Sequence, residues 1–186
     1  MGKIYPTLEP ALIEWIEKQH LFFVATAPLS EGGHVNCSPK GLDSFRILGP
    51  TTVAYLDQTG SGAETIAHLR ENGRITFLFC AFEGGPKILR LFGRGRVVLP
   101  AAPEFESLVV QFPPQPGTRS VIVCEVTRIA DSCGFGVPLY EHIEGRDTLA
   151  KYTVAKGEEG MKLYRAEKNQ VSIDGLPALI VEATAG

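Results

Sequence analysis

Ala54-Tyr-Leu-Asp-Gln-Thr-Gly-Ser-Gly-Ala-Glu-Thr65 has the pattern of a β-strand, a glycine-rich turn and the first turn of a helix. In this interpretation Ser61 is the N-cap of a helix that begins at Gly62, and Glu64 completes a capping box. The first backbone N–H groups of such a helix have no intrahelical acceptor and lie at the positive end of the helix dipole. The turn is therefore a candidate phosphate-binding site. A simple connection from hairpin to helix is the alternative, and the turn alone does not distinguish the two.

The Glu64 carboxylate opposes anion binding at this turn, because it lies in the same electrostatic field as the helix terminus. We therefore expect countercharge for a phosphate to come from basic residues elsewhere in the chain. The candidates are Lys40, Arg70, Arg74 and Arg90.

Apolar, β-preferring runs recur at hairpin spacing through most of the chain. They cover residues 21–26, 34–38, 45–48, 51–56, 74–82, 87–99 and 120–129. Gly93 and Gly95, inside the longest run, predict a bulge or a bend. Six or more antiparallel strands with flanking helices favour a closed or nearly closed barrel, since closure removes exposed strand edges. The predicted fold class is therefore mainly β with α.

Helical patterns separate or follow these strands. They cover residues 7–20, 62–71, 103–112, 147–154 and 158–168, and Asn72-Gly73 is a stop signal for the second of them. The chain contains no internal repeat and no low-complexity linker. We therefore expect a single domain over residues 1–186, with a C-terminal extension from about residue 131.

Composition excludes several classes of function. The net charge of −3 and the absence of a basic run argue against nucleic-acid binding. No apolar run is long enough to span a bilayer and no signal peptide is evident, so we expect a cytoplasmic protein that does not bind membranes. The four cysteines form no C-x-x-C pair, so no metal site is predicted.

Three segments of the chain resemble the pyridoxamine 5'-phosphate oxidase-like, FMN-binding split-barrel family. They are Val35 to Gly41, Ala54 to Thr65 and Ile88 to Gly95, within a resemblance that runs over roughly residues 8–129. The resemblance implies a split β-barrel, FMN as cofactor and a homodimer with the flavin in a cleft between subunits. The apolar strand from Phe77 to Phe82 is then a candidate part of the two-fold interface.

The resemblance also implies which residues hold the cofactor. Backbone groups that face the pyrimidine edge of the flavin ring belong to Asn36, Cys37, Ser38 and Pro39, and Lys40 stands near the ring or a substrate. The ribityl chain is lined by Tyr55, Leu56 and Asp57. The phosphate is surrounded by Gly60, Ser61, Gly62, Glu64 and Thr65.

The chain departs from the oxidases that act on pyridoxamine phosphate. It has no Arg-x-His element of the kind that grips their substrate, and it has Gly62-Ala63 where they carry adjacent basic residues. The resemblance therefore implies an FMN-dependent oxidoreductase that acts on a different, unidentified small molecule. The alternative is a non-catalytic module that binds flavin or haem.

Overall fold

The computed structural model describes residues 2–179. In this part of the chain the strands are β1 (Ile4–Tyr5), β2 (Phe22–Thr26), β3 (Asn36–Lys40), β4 (Phe45–Ile47), β5 (Thr52–Gln58), β6 (Arg74–Cys80), β7 (Ile88–Val98) and β8 (Thr118–Ser132). The helices are α1 (Pro10–Glu17), α2 (Glu64–Asn72), α3 (Phe105–Val109) and α4 (Thr148–Lys168).

The strands form one antiparallel sheet in the order β3-β2-β6-β7-β8-β5-β4, and β1 pairs with β8. The sheet curls, so that β3 at one edge and β5 near the other contribute to the same cleft. The predicted fold, a split β-barrel that is mainly β with flanking helices, is confirmed. The register of β7 against β8 shifts between Phe92 and Gly93, as the strand glycines predict.

Apolar side chains on the inner face of the curled sheet form the main core. Phe22, Phe45, Tyr55, Phe77 and Phe79 lie in one aromatic cluster with ring centroids 5.1–6.3 Å apart. Phe77 and Phe79 are 0% and 1% exposed, because alternate residues of a strand point to the same face. These two side chains therefore pack within their own chain. Of the segment from Phe77 to Phe82, only Leu78 and Phe82 are partly exposed and available for an interface.

The helix α2 begins at Glu64, so the prediction of a start at Gly62 with Ser61 as N-cap is wrong. Ala63 takes the N-cap position with φ −134° and ψ 24°, and no side chain caps this end. Ser61 lies two residues before the N-cap, and Glu64 is the first helical residue, so neither can form a capping box. The other end is as predicted, since Gly73 adopts φ 70° and ends the helix in the left-handed conformation.

The C-terminal extension returns across α2. Helix α4 is broken at Gly157, where φ is 69° and ψ is 173°, which accounts for the two helices predicted on either side. After α4, the segment 169–179 places Ala178 and Leu179 against Ile66 and Ala67 of α2. No helix within residues 2–179 has the length and apolar character needed to cross a membrane.

Candidate functional site

A cavity of about 440 Å³ lies between β3, the end of β5, the following turn and the start of α2. Most of the residues proposed from sequence border it: Asn36, Ser38, Lys40, Asp57, Gly60, Ser61, Gly62, Glu64 and Thr65. Four further residues complete its lining, namely Gln58, Ala63, Arg119 and Ile173. Segments distant in sequence thus converge on one cleft.

Four of the residues proposed from sequence do not border this cavity. Cys37 and Pro39 are exposed on the opposite face of β3, because their side chains alternate with those of Asn36, Ser38 and Lys40. Tyr55 and Leu56 are 0% and 2% exposed and lie in the protein core.

Asn36 is held in place by two threonine hydroxyls. Its Nδ2 donates to Thr26 Oγ1 at 3.1 Å and to Thr65 Oγ1 at 3.0 Å, which uses both amide hydrogens. The Asn36 Oδ1 is then left as an acceptor at the cavity wall. Thr26 Oγ1 also lies 2.9 Å from Nδ1 of the buried His68. This polar chain ties β2, β3 and α2 together beside the cavity.

Lys40 brings a cation to the cavity wall without a partner. Its ammonium group forms no ion pair within residues 2–179, and it lies 5.8 Å from the centroid of the Tyr55 ring. Burial lowers the pKa of Lys40, and the Asp57 carboxylate only partly opposes this. An anion in the cavity would stabilise the charged form of Lys40. Of the four basic residues considered from sequence, Lys40 alone borders the cavity.

The turn has free backbone donors, and two of its backbone carbonyls are hydrogen-bonded to other parts of the chain. Within residues 2–179, none of the N–H groups from Gly60 to Ile66 has a hydrogen-bond acceptor. The Gly60 carbonyl accepts a hydrogen bond from Asn169 Nδ2 at 3.0 Å, and the Gly62 carbonyl accepts one from Arg119 Nη1 at 2.9 Å. A run of free N–H groups at a turn and a helix start is an arrangement that binds anions.

Arg119 and Asn169 are the important residues that the sequence did not indicate. The Arg119 guanidinium is buried against the Asp57 carboxylate, with Nε 2.8 Å from Oδ2, and its Nη1 donates to Asn169 Oδ1 at 2.9 Å. Arg119 directly precedes a predicted strand and Asn169 directly follows a predicted helix. Neither position carries a local pattern that connects it with the turn.

The charged side chains around the cleft are of both signs. Lys40 and Arg119 are opposed by Asp57 and Glu64, and Asp57 is already paired with Arg119. The Glu64 carboxylate folds back against Gly62, into space that a Cβ there would occupy. The cleft therefore offers an anion two favourable kinds of group, free backbone N–H groups and the Lys40 ammonium, and one unfavourable group, the Glu64 carboxylate.

Comparison with known proteins identifies relatives of this chain. The family model described as pyridoxamine 5'-phosphate oxidase matches residues 8–133. The pyridoxamine 5'-phosphate oxidase family protein ustO of Aspergillus flavus is 41% identical, over 96% of this chain and 78% of that protein.

Solved structures show the same fold at low sequence identity. A variant of HupZ from Group A Streptococcus has a TM-score of 0.53 and 22% identity, over 67% of this chain and 99% of that one. A candidate pyridoxamine 5'-phosphate oxidase from Lactobacillus delbrueckii has a TM-score of 0.52 and 13% identity, over 68% and 98%. Ile173, which borders the cleft, and Asn169, which holds the Gly60 carbonyl, lie beyond the residues that the family model matches.

Proposed function

Because this chain belongs to the pyridoxamine 5'-phosphate oxidase family, we propose that its cleft binds a flavin, specifically FMN. The FMN phosphate lies on the turn Gly60–Gly62 and the start of α2. The observation that carries this proposal is the run of free N–H groups from Gly60 to Ile66 beside the unpaired Lys40.

The donor set of the cleft suits a phosphate monoester. Free N–H groups at a helix start attract negative charge through their own dipoles and through that of the helix. Lys40 adds a full positive charge. Burial lowers the pKa of its ammonium group, so an anionic neighbour would stabilise the charged form. The glycines at positions 60 and 62 add no side-chain bulk to the turn.

The wall formed by β3 suits the rest of the ligand. Asn36 Oδ1 offers an acceptor to an N–H group, and Thr26 and Thr65 hold it in that orientation. The strand β3 is the last strand on its side of the sheet within residues 2–179. We propose that a second copy of the chain closes the cleft on this side, which makes the protein a homodimer.

We propose an oxidoreductase rather than a flavin carrier, with a small organic molecule as substrate. When bound, FMN supplies two-electron redox chemistry, and the protein supplies orientation and electrostatics. Lys40 keeps positive charge at the cavity wall. The buried Asp57–Arg119 pair and Asn36 keep the surrounding groups in fixed positions.

An absorbance spectrum of the purified protein tests this function, before and after addition of FMN and then of a nicotinamide cofactor. Flavin bands that the nicotinamide cofactor bleaches, and that return on addition of a small-molecule acceptor, support a flavin-dependent oxidoreductase. Flavin bands that never bleach indicate a carrier, and haem bands indicate the other binding module. A colourless protein whose melting temperature does not rise with FMN contradicts flavin binding.

A further inference from the structure

Asn169 is fully buried at the end of α4, and each of its polar groups has a partner. Its backbone N–H donates to the Arg165 carbonyl at 2.9 Å, and its own carbonyl accepts from the Leu179 N–H at 3.0 Å. Its side chain reaches the turn: Nδ2 donates to the Gly60 carbonyl at 3.0 Å, and Oδ1 accepts from Arg119 Nη1 at 2.9 Å.

These contacts fix the directions of two backbone carbonyls of the turn. A carbonyl oxygen repels an anion and an N–H group attracts one, so an anion-binding turn must direct its carbonyls elsewhere. Asn169 holds the Gly60 carbonyl directly. It also orients Arg119, whose Nη1 holds the Gly62 carbonyl. The side chain must donate and accept at once, which alanine cannot do at all and aspartate can do only as an acceptor.

We propose that Asn169 is a positioning residue for the cofactor phosphate: it keeps the carbonyls of Gly60 and Gly62 turned away from the cavity. This inference rests on the proposed FMN site. It assigns a role to the C-terminal extension, because Asn169 lies beyond residues 8–133 that the family model matches. The phosphate site is then built jointly by the barrel and by the segment that follows α4.

A purely structural role for Asn169 is the competing explanation, and the chain contains a natural control for it. Asn72 also lies at the C-terminal end of a helix, where its Nδ2 donates to the Ala27 carbonyl and its Oδ1 accepts from the Arg74 N–H. Within residues 2–179, Asn72 forms no hydrogen bond with the turn. Both asparagines support a helix end, but only Asn169 bears on phosphate binding.

The test is an equilibrium titration of FMN and of riboflavin, which lacks the phosphate, into the full-length protein and its variants. For Asn169→Ala we expect FMN affinity to fall by about tenfold or more, since the binding groups for a charged phosphate are misplaced. Riboflavin affinity should change less than about twofold by the same reasoning. Asn72→Ala should leave the ratio of the two affinities unchanged. Asn169→Leu keeps a branched side chain and adds no charge that would itself repel a phosphate. It therefore serves if the alanine variant does not fold, and it should also lower the ratio of FMN to riboflavin affinity.

Each outcome distinguishes this inference from the proposed function. If the unaltered protein binds FMN but the Asn169 variants lose FMN and riboflavin affinity by the same factor, Asn169 is only structural. If neither Asn169 variant changes the ratio of FMN to riboflavin affinity, Asn169 does not position the phosphate site. If the unaltered protein binds neither flavin, the proposed function fails and this inference fails with it.

Discussion

The guanidinium of Arg119 donates two hydrogen bonds to the carboxylate of Asp57, from Nε at 2.8 Å and from Nη2 at 3.2 Å. The side chains are only 5% and 1% exposed. The Ser120 hydroxyl donates to the same carboxylate at 2.9 Å. This buried pair borders the cleft. Arg119 Nη1 also donates to the Gly62 carbonyl, which joins the pair to the turn.

Removing the cation of this pair should destabilise the protein strongly. Arg119→Met leaves the Asp57 carboxylate buried without its partner, and we expect the free energy of unfolding to fall by about 3–5 kcal/mol. Urea denaturation measures this change. The matched control is Lys151→Met, which breaks an exposed ion pair with Asp147 and should have little measurable effect. A loss for Arg119→Met no larger than that of the control would show that the pair adds nothing to stability.

FMN affinity should depend on the ionisation of Lys40. Burial lowers the pKa of Lys40 in the empty protein, and a bound phosphate would raise it again. Above neutral pH, affinity should therefore stay constant while Lys40 is charged and fall as pH rises through its lowered pKa. Titration calorimetry over that range should show proton uptake on binding.

Lys40→Met should weaken FMN binding at neutral pH and remove this alkaline dependence. Lys18→Met is the control, because Lys18 is paired with Glu14 on the surface of α1 and is remote from the cleft. An alkaline dependence that persists in Lys40→Met would assign it to another group.

Neutralising Glu64 should strengthen phosphate binding. Glu64→Gln removes a negative charge that borders the cavity, and we expect FMN affinity to rise by about two- to fivefold at low ionic strength. The gain should shrink as salt is added, because screening weakens the repulsion. Riboflavin affinity should not change. Flavin fluorescence titrations at two salt concentrations measure both, and a fall in FMN affinity would indicate that Glu64 supports the ligand.

His68 should make stability depend on pH. Burial lowers the pKa of His68 from its ordinary 6.5, so the folded protein favours the neutral ring. As pH falls below about 6.5 the unfolded chain takes up a proton first, so the free energy of unfolding falls until the lowered pKa is reached.

Above about pH 6.5, His68 is neutral in both the folded and the unfolded protein, so it causes no loss of stability there. Unfolding free energies measured at intervals from neutral to mildly acidic pH should decline in the unaltered protein and decline less in His68→Gln. Parallel curves for the two proteins would exclude His68 as the cause.

The predictable parts of this protein are those whose signals are local. The strands and the glycine turn after β5 were predictable, because strand period and turn chemistry act over a few residues. The family resemblance, and not the period of β3, indicated Asn36 and Lys40, and in the structure these two residues border the same cavity as Ser61. The helix start was misplaced for a related reason. Ser61 and Glu64 have the spacing of a capping box, but the chain remains a turn through Gly62 and enters the helix only after Ala63.

The residues that the sequence did not reveal form contacts with residues far away in the chain. Arg119 is 62 residues from Asp57, and Asn169 is 109 residues from Gly60. Only the curl of the sheet and the return of the chain after α4 bring them to the turn. No periodicity or motif encodes such a contact, so a single sequence could not reveal it.

The central claim, that the N–H groups from Gly60 to Ile66 hold the FMN phosphate, is tested most directly by amide resonances. Proton–nitrogen correlation spectra should be recorded for the protein alone, with FMN and with riboflavin. The amide signals of Gly60 to Ile66 should move with FMN and stay in place with riboflavin. FMN binding that shifts other amides but leaves these unmoved would contradict the account.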